Sequence, residues 1–341
     1  MKYYSNSAKS LFNDVDLKNT NSTSKSSNLR NSLTLDDVSS LLYNQGVVGE
    51  ESLIKQLTCA LVNRSQVALE GRSGTGKTFI MDKLLDLFPN VYALNQTTST
   101  AAFYDADKIN SSNFMYIPEL QKVLLGSKKH LLELIKDVSE GKNSTRLKTS
   151  YSKNETVEQK INGSLSIVYT LATENDYKPD KELQRRFLHF RTDDSNNHLE
   201  DILASKAEAR SRPLFNSAKE EMDKSKIKTH LGSCLKNNYK IVDPFSNGIF
   251  KQFIGKHDAF TEVAKYSSLV DGLVKFNSDS HVKYDLAGET YLITNIDDHL
   301  LMADLTKNSL NINIDLLDGA KKSVKALSDA VFEDWLLKQL L

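Results

Sequence analysis

The sequence predicts an α/β protein built on a mostly parallel sheet. Three observations predict it. Short apolar runs recur at 66–70 (QVALE), 91–95 (VYALN), 114–117 (FMYI), 164–172 (SLSIVYTLA) and 187–190 (FLHF). Segments of helical spacing separate several of them, the alternation expected of strands crossed by helices. The first run leads through a glycine-rich stretch directly into an amphipathic segment, TFIMDKLLDLF (78–88).

Composition bounds the rest. Hydrophobic residues make up 39% of the 341 and charged residues 26%, enough apolar surface for a sizeable core. Forty-four Lys+Arg balance forty-four Asp+Glu, so any nucleic-acid contact must come from a local patch. No run of 18 apolar residues exists and the N-terminus lacks an apolar signal core, which predicts a soluble, intracellular, cytoplasmic protein without membrane contact. Two cysteines and seven scattered histidines offer no disulfide framework or metal cage.

Residues 1–32 are rich in Ser, Asn, Thr and Lys and read as a flexible tail, solvated or used to dock a partner. From Leu33 the texture changes. Thr34 is placed to cap a helix, with Asp36 and Asp37 in its first turn. VVGEESLIKQLTCALVN (47–63) sets Leu53, Ile54, Leu57, Ala60 and Leu61 at helical spacing. The α/β core is expected over 33–193, a polar helical linker or lid over 194–240, and a further region over 241–341. That last region contains one hairpin, HVKYDLAGETYLIT, turning near Ala287-Gly288, and a final helix, ALSDAVFEDWLLKQLL, for core packing or partner contact.

GRSGTGKT (71–78) matches G-x-x-x-x-G-K-[ST] at every fixed position and stands between a strand and a helix. Gly71, Gly74 and Gly76 permit backbone conformations and close approach that a Cβ would block. Such a loop turns N–H groups inward as an anion nest, at the positive end of the next helix. Lys77 adds a cation for the β- and γ-phosphates of a nucleotide, and the Thr78 hydroxyl a ligand for Mg²⁺. The bland alternative is a glycine-rich strand–helix turn. A second acid is expected at the end of a neighbouring strand, where FMYIPE offers Glu119 as general base toward water and as a metal-side carboxylate. The position before it, usually Asp, is Pro118; Thr78 and water then carry the Mg²⁺, or another acid substitutes.

In this order the features resemble an AAA+ ATPase. VVGEE is similar to the segment bordering the adenine pocket in that class. The resemblance implies an AAA+ P-loop core with helices on both faces of the sheet, a helical lid and a C-terminal winged-helix-like region. It implies ATP and Mg²⁺ as ligands, held by Gly71, Ser73, Gly74, Thr75, Gly76, Lys77, Thr78 and Phe79, with Thr78 and Glu119 on the metal side. LATENDYKPDKELQRRF (171–187) resembles the sensor-1 strand end and arginine-finger segment. Sensor 1 falls on Thr173 or Asn175, because Glu174 separates the usual Thr-Asn pair; the finger falls on Arg186, directly before Phe187, with Arg185 its neighbour. A further lid cation is implied at Lys265, where relatives favour arginine.

Between Glu119 and that strand lies an insert: a helix, HLLELIKDVSEGK (130–142), with Leu131, Leu134, Ile135 and Val138 on one face, then two polar β-prone stretches. A hairpin near 143–163 resembles the pre-sensor-1 hairpin of minichromosome-maintenance-like helicases, closest to modules joined to primases in phages, plasmids and mobile elements; TTSTAAFYD (97–105) and IPELQKVLL (117–125) resemble those modules too. Arg146, Lys148, Tyr151 and Lys153, with Lys160, put cations and an aromatic on this ribbon, a pattern that tracks single-stranded nucleic acid without reading sequence, or an ordinary solvated hairpin of mixed charge. The expected function is an ATP-driven ring, a homo-hexamer, translocating on or unwinding single-stranded or forked DNA in replication, with primase or loader functions on other chains. The alternatives are a MoxR-like protein-remodelling chaperone and a nucleotide-switched DNA-binding or assembly protein.

Overall fold

The computed structural model describes residues 33–94, 105–121, 129–150, 155–174, 181–211, 217–255, 259–286 and 288–310. The polar tail at 1–32, the stretch 97–104, Tyr151, Lys153, Asn175, Ala287 and the final helix expected over 326–341 lie outside the described residues. All described residues belong to one compact unit.

Two helices precede the sheet. Helix α1, Leu35–Asn44, starts with a capping box: the Thr34 hydroxyl accepts from Asp37 N at 3.3 Å, and Thr34 N donates back to Asp37 Oδ2 at 2.7 Å. Helix α2, Glu51–Val62, begins later than its periodicity alone suggests, because Gly49 takes φ +73° just before it. Then come β1, Val67–Gly71, and α3, Lys77–Leu85, followed by β2, Val91–Ala93, α4, Ala106–Asn110, and β3, Phe114–Ile117. Helix α5, Lys129–Ser139, buries Leu131, Leu134, Ile135 and Val138. It stops three residues short of the expected Lys142, because Gly141 adopts φ +75° and turns the chain out of the helix.

The ribbon strands β4, Ser144–Ser150, and β5, Glu155–Ile161, lead to β6, Ser166–Ala172. Helix α6, Lys181–Arg186, then connects to β7, Leu188–Arg191.

Strands β2, β3, β6, β1 and β7 form one sheet in that order, every adjacent pair parallel. A parallel sheet must be covered on both faces, which explains strands that read as continuous apolar runs: all seven residues of β6 are buried. Ala68, Met115, Ile117, Ile167, Tyr169 and Leu171 share a core with the apolar sides of α4, α5 and α6. The chain leaving β1 runs toward the β2 edge, whereas the chain leaving β6 passes to the opposite side of β1 to form β7. Beside β1, therefore, the direction of winding changes, and the carboxyl ends of such strands are where open α/β sheets hold ligands.

β4 and β5 pair antiparallel as a separate two-stranded ribbon, from Ser144 opposite Ile161 to Ser150 opposite Glu155. Its root is fixed by α4: Asn110 Nδ2 donates to Lys160 O and Asn162 N donates to Asn110 Oδ1, both at 2.8 Å. Beyond the sheet, α7, Asn196–Ser211, and α8, Ser217–Lys236, are the long polar helices expected there. Strand β8, Lys240–Val242, is followed by α9, Ser246–Phe250, and α10, Ala259–Phe276. The hairpin of β9, Lys283–Leu286, and β10, Glu289–Ile293, turns at Gly288 (φ +80°), and α11, Ile296–Leu310, follows. β8 pairs with β10, so residues on both sides of position 241 share one small sheet.

Helix α10 packs on α2 at closest range through Gly272. A Cβ built there would stand 1.9 Å from Cys59 O. Replacing an interior helical glycine by alanine ordinarily stabilises by roughly 0.5–1 kcal/mol. Here the sign reverses: Gly272→Ala should destabilise the protein by about 1–3 kcal/mol, the usual cost of overpacking, measured as a lower urea midpoint.

Candidate functional site

The glycine-rich loop leaves the carboxyl end of β1 and is held from both flanking strands. On the β6 side Thr173 N donates to Gly71 O at 3.0 Å. On the β7 side Thr192 N donates to Glu70 O at 3.0 Å, and the Thr192 and Thr75 hydroxyls share a buried hydrogen bond of 2.9 Å. Gly71 is required by this contact, since a Cβ there would lie 2.0 Å from Thr192 Oγ1. Gly74 and Gly76 are required for another reason: they take φ +86° and +80°, and open space surrounds both. Gly76 is the N-cap of α3, so the loop's N–H groups and the helix N-terminus form one electropositive concavity.

Lys77 is buried at 8% exposure within this loop, its ammonium donating to Arg72 O. Burial holds it below the usual lysine range, while Glu174 and Glu119 pull it back up. Glu174 touches the loop directly: Ser73 N donates to Glu174 Oε2 at 3.2 Å. Phe79, on the next turn of α3, is 44% exposed and faces Gly46.

Glu119 stands at the carboxyl end of β3, one strand removed from β1. Its backbone takes φ +52°, a left-handed conformation disfavoured for glutamate. Its N–H donates to Thr170 Oγ1 at 3.0 Å, and Thr170 is fully buried on β6. The next anchor is Gln121, whose Oε1 accepts from Ala172 N at 3.4 Å. Strain maintained by neighbouring hydrogen bonds is common at functional positions. Pro118 provides no side-chain oxygen. Tyr116, two residues earlier on β3, has a buried hydroxyl with no hydrogen-bond partner among the described residues, and burial, followed by the nearby Asp82 charge, raises it far above the usual tyrosine range. Among the described residues no group of three or more His, Cys, Asp or Glu could hold a metal ion, so any Mg²⁺ here would keep several waters.

Thr173 and Glu174 follow β6 at the loop, whereas Asn175 is outside the described residues. Arg186 lies elsewhere. Its Nη1 donates to Lys136 O at 2.7 Å, and Nη2 pairs with Glu182 at 2.6 Å and with Glu140. These partners belong to α5, α6 and the turn after α5, none to the chain's own glycine loop. Lys265 reaches from α10 to His189 O and over the Phe190 ring, 4.8 Å from its centroid. Burial drops it to about 8 against the pull of Glu262 and Glu70. On the ribbon, Arg146 and Lys148 belong to β4, and Lys160 on β5 is paired with Thr145, while the exposed Leu147 is paired with Glu158.

A cleft of about 750 Å³ adjoins the loop on the β7 side, lined by Gly49, Glu50, Glu70, His189, Thr192 and Lys265 among others. In it the His189 ring pairs with Glu70 at 2.7 Å. Burial works upward on the Glu70 carboxyl, but His189, Arg191 and Lys265 outweigh it and hold it below its ordinary value. The sequence reading did not single out Thr170, Thr192 or Glu70. Each is a polar residue inside or ending an otherwise apolar strand, and that pattern was the available signal.

Glu50 accepts from Asp193 N at 2.9 Å and is 6% exposed. Burial pushes its carboxyl up to about 7. The folded chain therefore binds this proton more tightly than the unfolded chain, and stability falls as pH rises from the ordinary glutamate value to about 7. Between about pH 5 and pH 8 the wild type should lose up to about 3 kcal/mol relative to Glu50→Gln, read from urea unfolding of the two proteins.

No protein-family model matches this sequence and no curated protein matches it, so a function must be argued from the residues and geometry above.

Proposed function

We propose that the chain is an AAA+ ATPase of the hairpin-bearing, minichromosome-maintenance-like branch, working as a hexameric ring that translocates on or unwinds DNA during replication. The observation that carries this reading is the pairing of two features at one sheet edge. A glycine loop with a buried lysine follows β1, and a carboxylate held in a left-handed conformation follows β3. A plain strand–helix turn requires neither the buried cation nor the strained glutamate.

In this reading the loop N–H groups and Lys77 hold the β- and γ-phosphates of ATP. The base of the nucleotide takes the cleft beside Gly49 and Glu50, where the sequence resembles an adenine-bordering segment. Mg²⁺, when bound, supplies charge neutralisation of the phosphates. Thr78 contributes a hydroxyl to it and Glu119 a nearby carboxylate; Pro118 contributes nothing, so water completes its shell. Glu119 orients a water for in-line attack and accepts its proton. Thr173 or Asn175 polarises the γ-phosphate from the β6 side.

Arg186 acts on the nucleotide of the neighbouring subunit, for which it must exchange the acceptors it has within its own chain, Lys136 O, Glu182 and Glu140. Arg146 and Lys148 line the ring's channel, and Tyr151 and Lys153 are the further DNA contacts the sequence offers. A helical lid and winged-helix-like region then correspond to residues 194–341, with Lys265 as the lid cation.

Two variants test the chemistry. Lys77→Ala should lower ATP affinity, read by titration calorimetry, and unchanged affinity would end the reading. Glu119→Gln should bind ATP as wild type does while turnover falls about 10²-fold or more, the range for loss of a general base. A steady-state ATPase assay with and without single-stranded DNA tests the motor. DNA should stimulate hydrolysis in wild type. Stimulation only by a protein partner identifies a remodelling chaperone, and tight binding without turnover a nucleotide switch.

A further inference from the structure

The glycine loop already holds an anion that belongs to the chain. Glu174 Oε2 accepts the Ser73 N–H at 3.2 Å, one of the donors that a phosphate group in this loop would use. The contact follows from chain geometry. β6 ends alongside β1, Thr173 N bonds Gly71 O at 3.0 Å, and the next residue is thereby set beside the loop. Lys77 also feels this carboxylate and is bonded within the loop to Arg72 O. Donor and cation are thus both partnered inside the protein.

We propose that Glu174 is an internal competitor for the phosphate site, which makes the loop selective for polyphosphate whose charge is neutralised by a metal ion. This inference rests on the nucleotide reading above. An entering phosphate must take the Ser73 N–H from Glu174. The displaced carboxylate stays attached to the end of β6, within a side chain's length of the loop, because Thr173 N is bonded to Gly71 O. It then stands near the phosphates as a like charge, and the repulsion is larger for metal-free ligand than for a ligand carrying Mg²⁺. Glutamine at 174 would keep the shape and an acceptor oxygen, but a neutral acceptor bonds about half as strongly and leaves no repulsive charge.

Calorimetric titration of ADP into the full chain, with Mg²⁺ and with chelator, tests this on wild type, Glu174→Gln, Glu174→Ala and Lys77→Ala. Glu174→Ala should bind metal-free ADP about tenfold more tightly than wild type, as expected for loss of one charged hydrogen bond, and Glu174→Gln should gain in the same direction by less. Their gain with Mg²⁺ present should be smaller, so the ratio of the two affinities narrows. If wild type shows no heat with metal-free ADP, binding by the Glu174 variants supports the inference and silence from all of them overturns it. Unchanged or weakened metal-free binding in the Glu174 variants overturns the inference alone, provided Lys77→Ala loses affinity. Lys77→Ala binding ADP like wild type overturns the nucleotide reading beneath it.

Discussion

The arrangement at this site depends on how the carboxyl end of β1 is pinned. A strand inside a parallel sheet has its backbone bonded on both sides, and β1 keeps this to its last residue. Thr173 closes it from β6 and Thr192 from β7. At the end of β1 only glycine fits, because the Thr192 hydroxyl occupies the space a Cβ of residue 71 would need. The same hydroxyl bonds Thr75, so the loop is tied back to the strand it has left. The loop's shape is thereby fixed by its neighbours, and its N–H groups are preorganised before any ligand arrives.

Two carboxylates and one lysine set the electrostatics within that frame. Lys77 is buried, which disfavours its charge, and Glu174 and Glu119, from two different strands, offset this only in part. Their attachments differ. Glu119 is fixed by backbone strain and a buried threonine, suited to a group whose geometry matters throughout a reaction. Glu174 is exposed and makes its contact through a single hydrogen bond to the loop, suited to a group that is exchanged. The same residue type at two strand ends is therefore held in two different ways.

Much of this was legible in the sequence. The parallel sheet follows from continuous apolar runs such as that around Val168, and the α1 cap from Thr34 and Asp37 spacing. Gly74 and Gly76 sit where the loop pattern demands left-handed backbone, and the buried side of α5 matches its periodicity residue for residue. What sequence could not supply was long-range partnership. Nothing near Glu119 announces that Thr170, 51 positions away, will fix its N–H, and nothing near Gly71 announces Thr192. Glu174 drew notice only as an interruption of a familiar pair, because its partner, Ser73, lies 101 positions earlier. Register between strands decides these contacts, and register is a property of the assembled sheet.

Arg186 shows how a single chain constrains a proposal about a ring. Its guanidinium has three acceptors, a helix carbonyl and two carboxylates, and its side chain is only 14% exposed. An arginine so satisfied cannot reach a neighbouring phosphate without giving some of these up, and a charge-assisted pair is replaced at little cost only by another. In the proposed ring, the γ-phosphate edge of an adjacent nucleotide would offer such a replacement, with more charge than either carboxylate. Within the proposed ring, Glu140 and Glu182 would be the position the guanidinium leaves, at the end of α6. If the finger role holds, exchange between carboxylate and phosphate links nucleotide occupancy at the interface to α5, the helix that leads into the ribbon. That route is short: α5 ends at Ser139, and β4 begins at Ser144. A shift of Arg186 would reach the central sheet as well as the root of the hairpin, because Phe187 packs on Tyr169 with ring centroids 4.8 Å apart and β7 begins at Leu188.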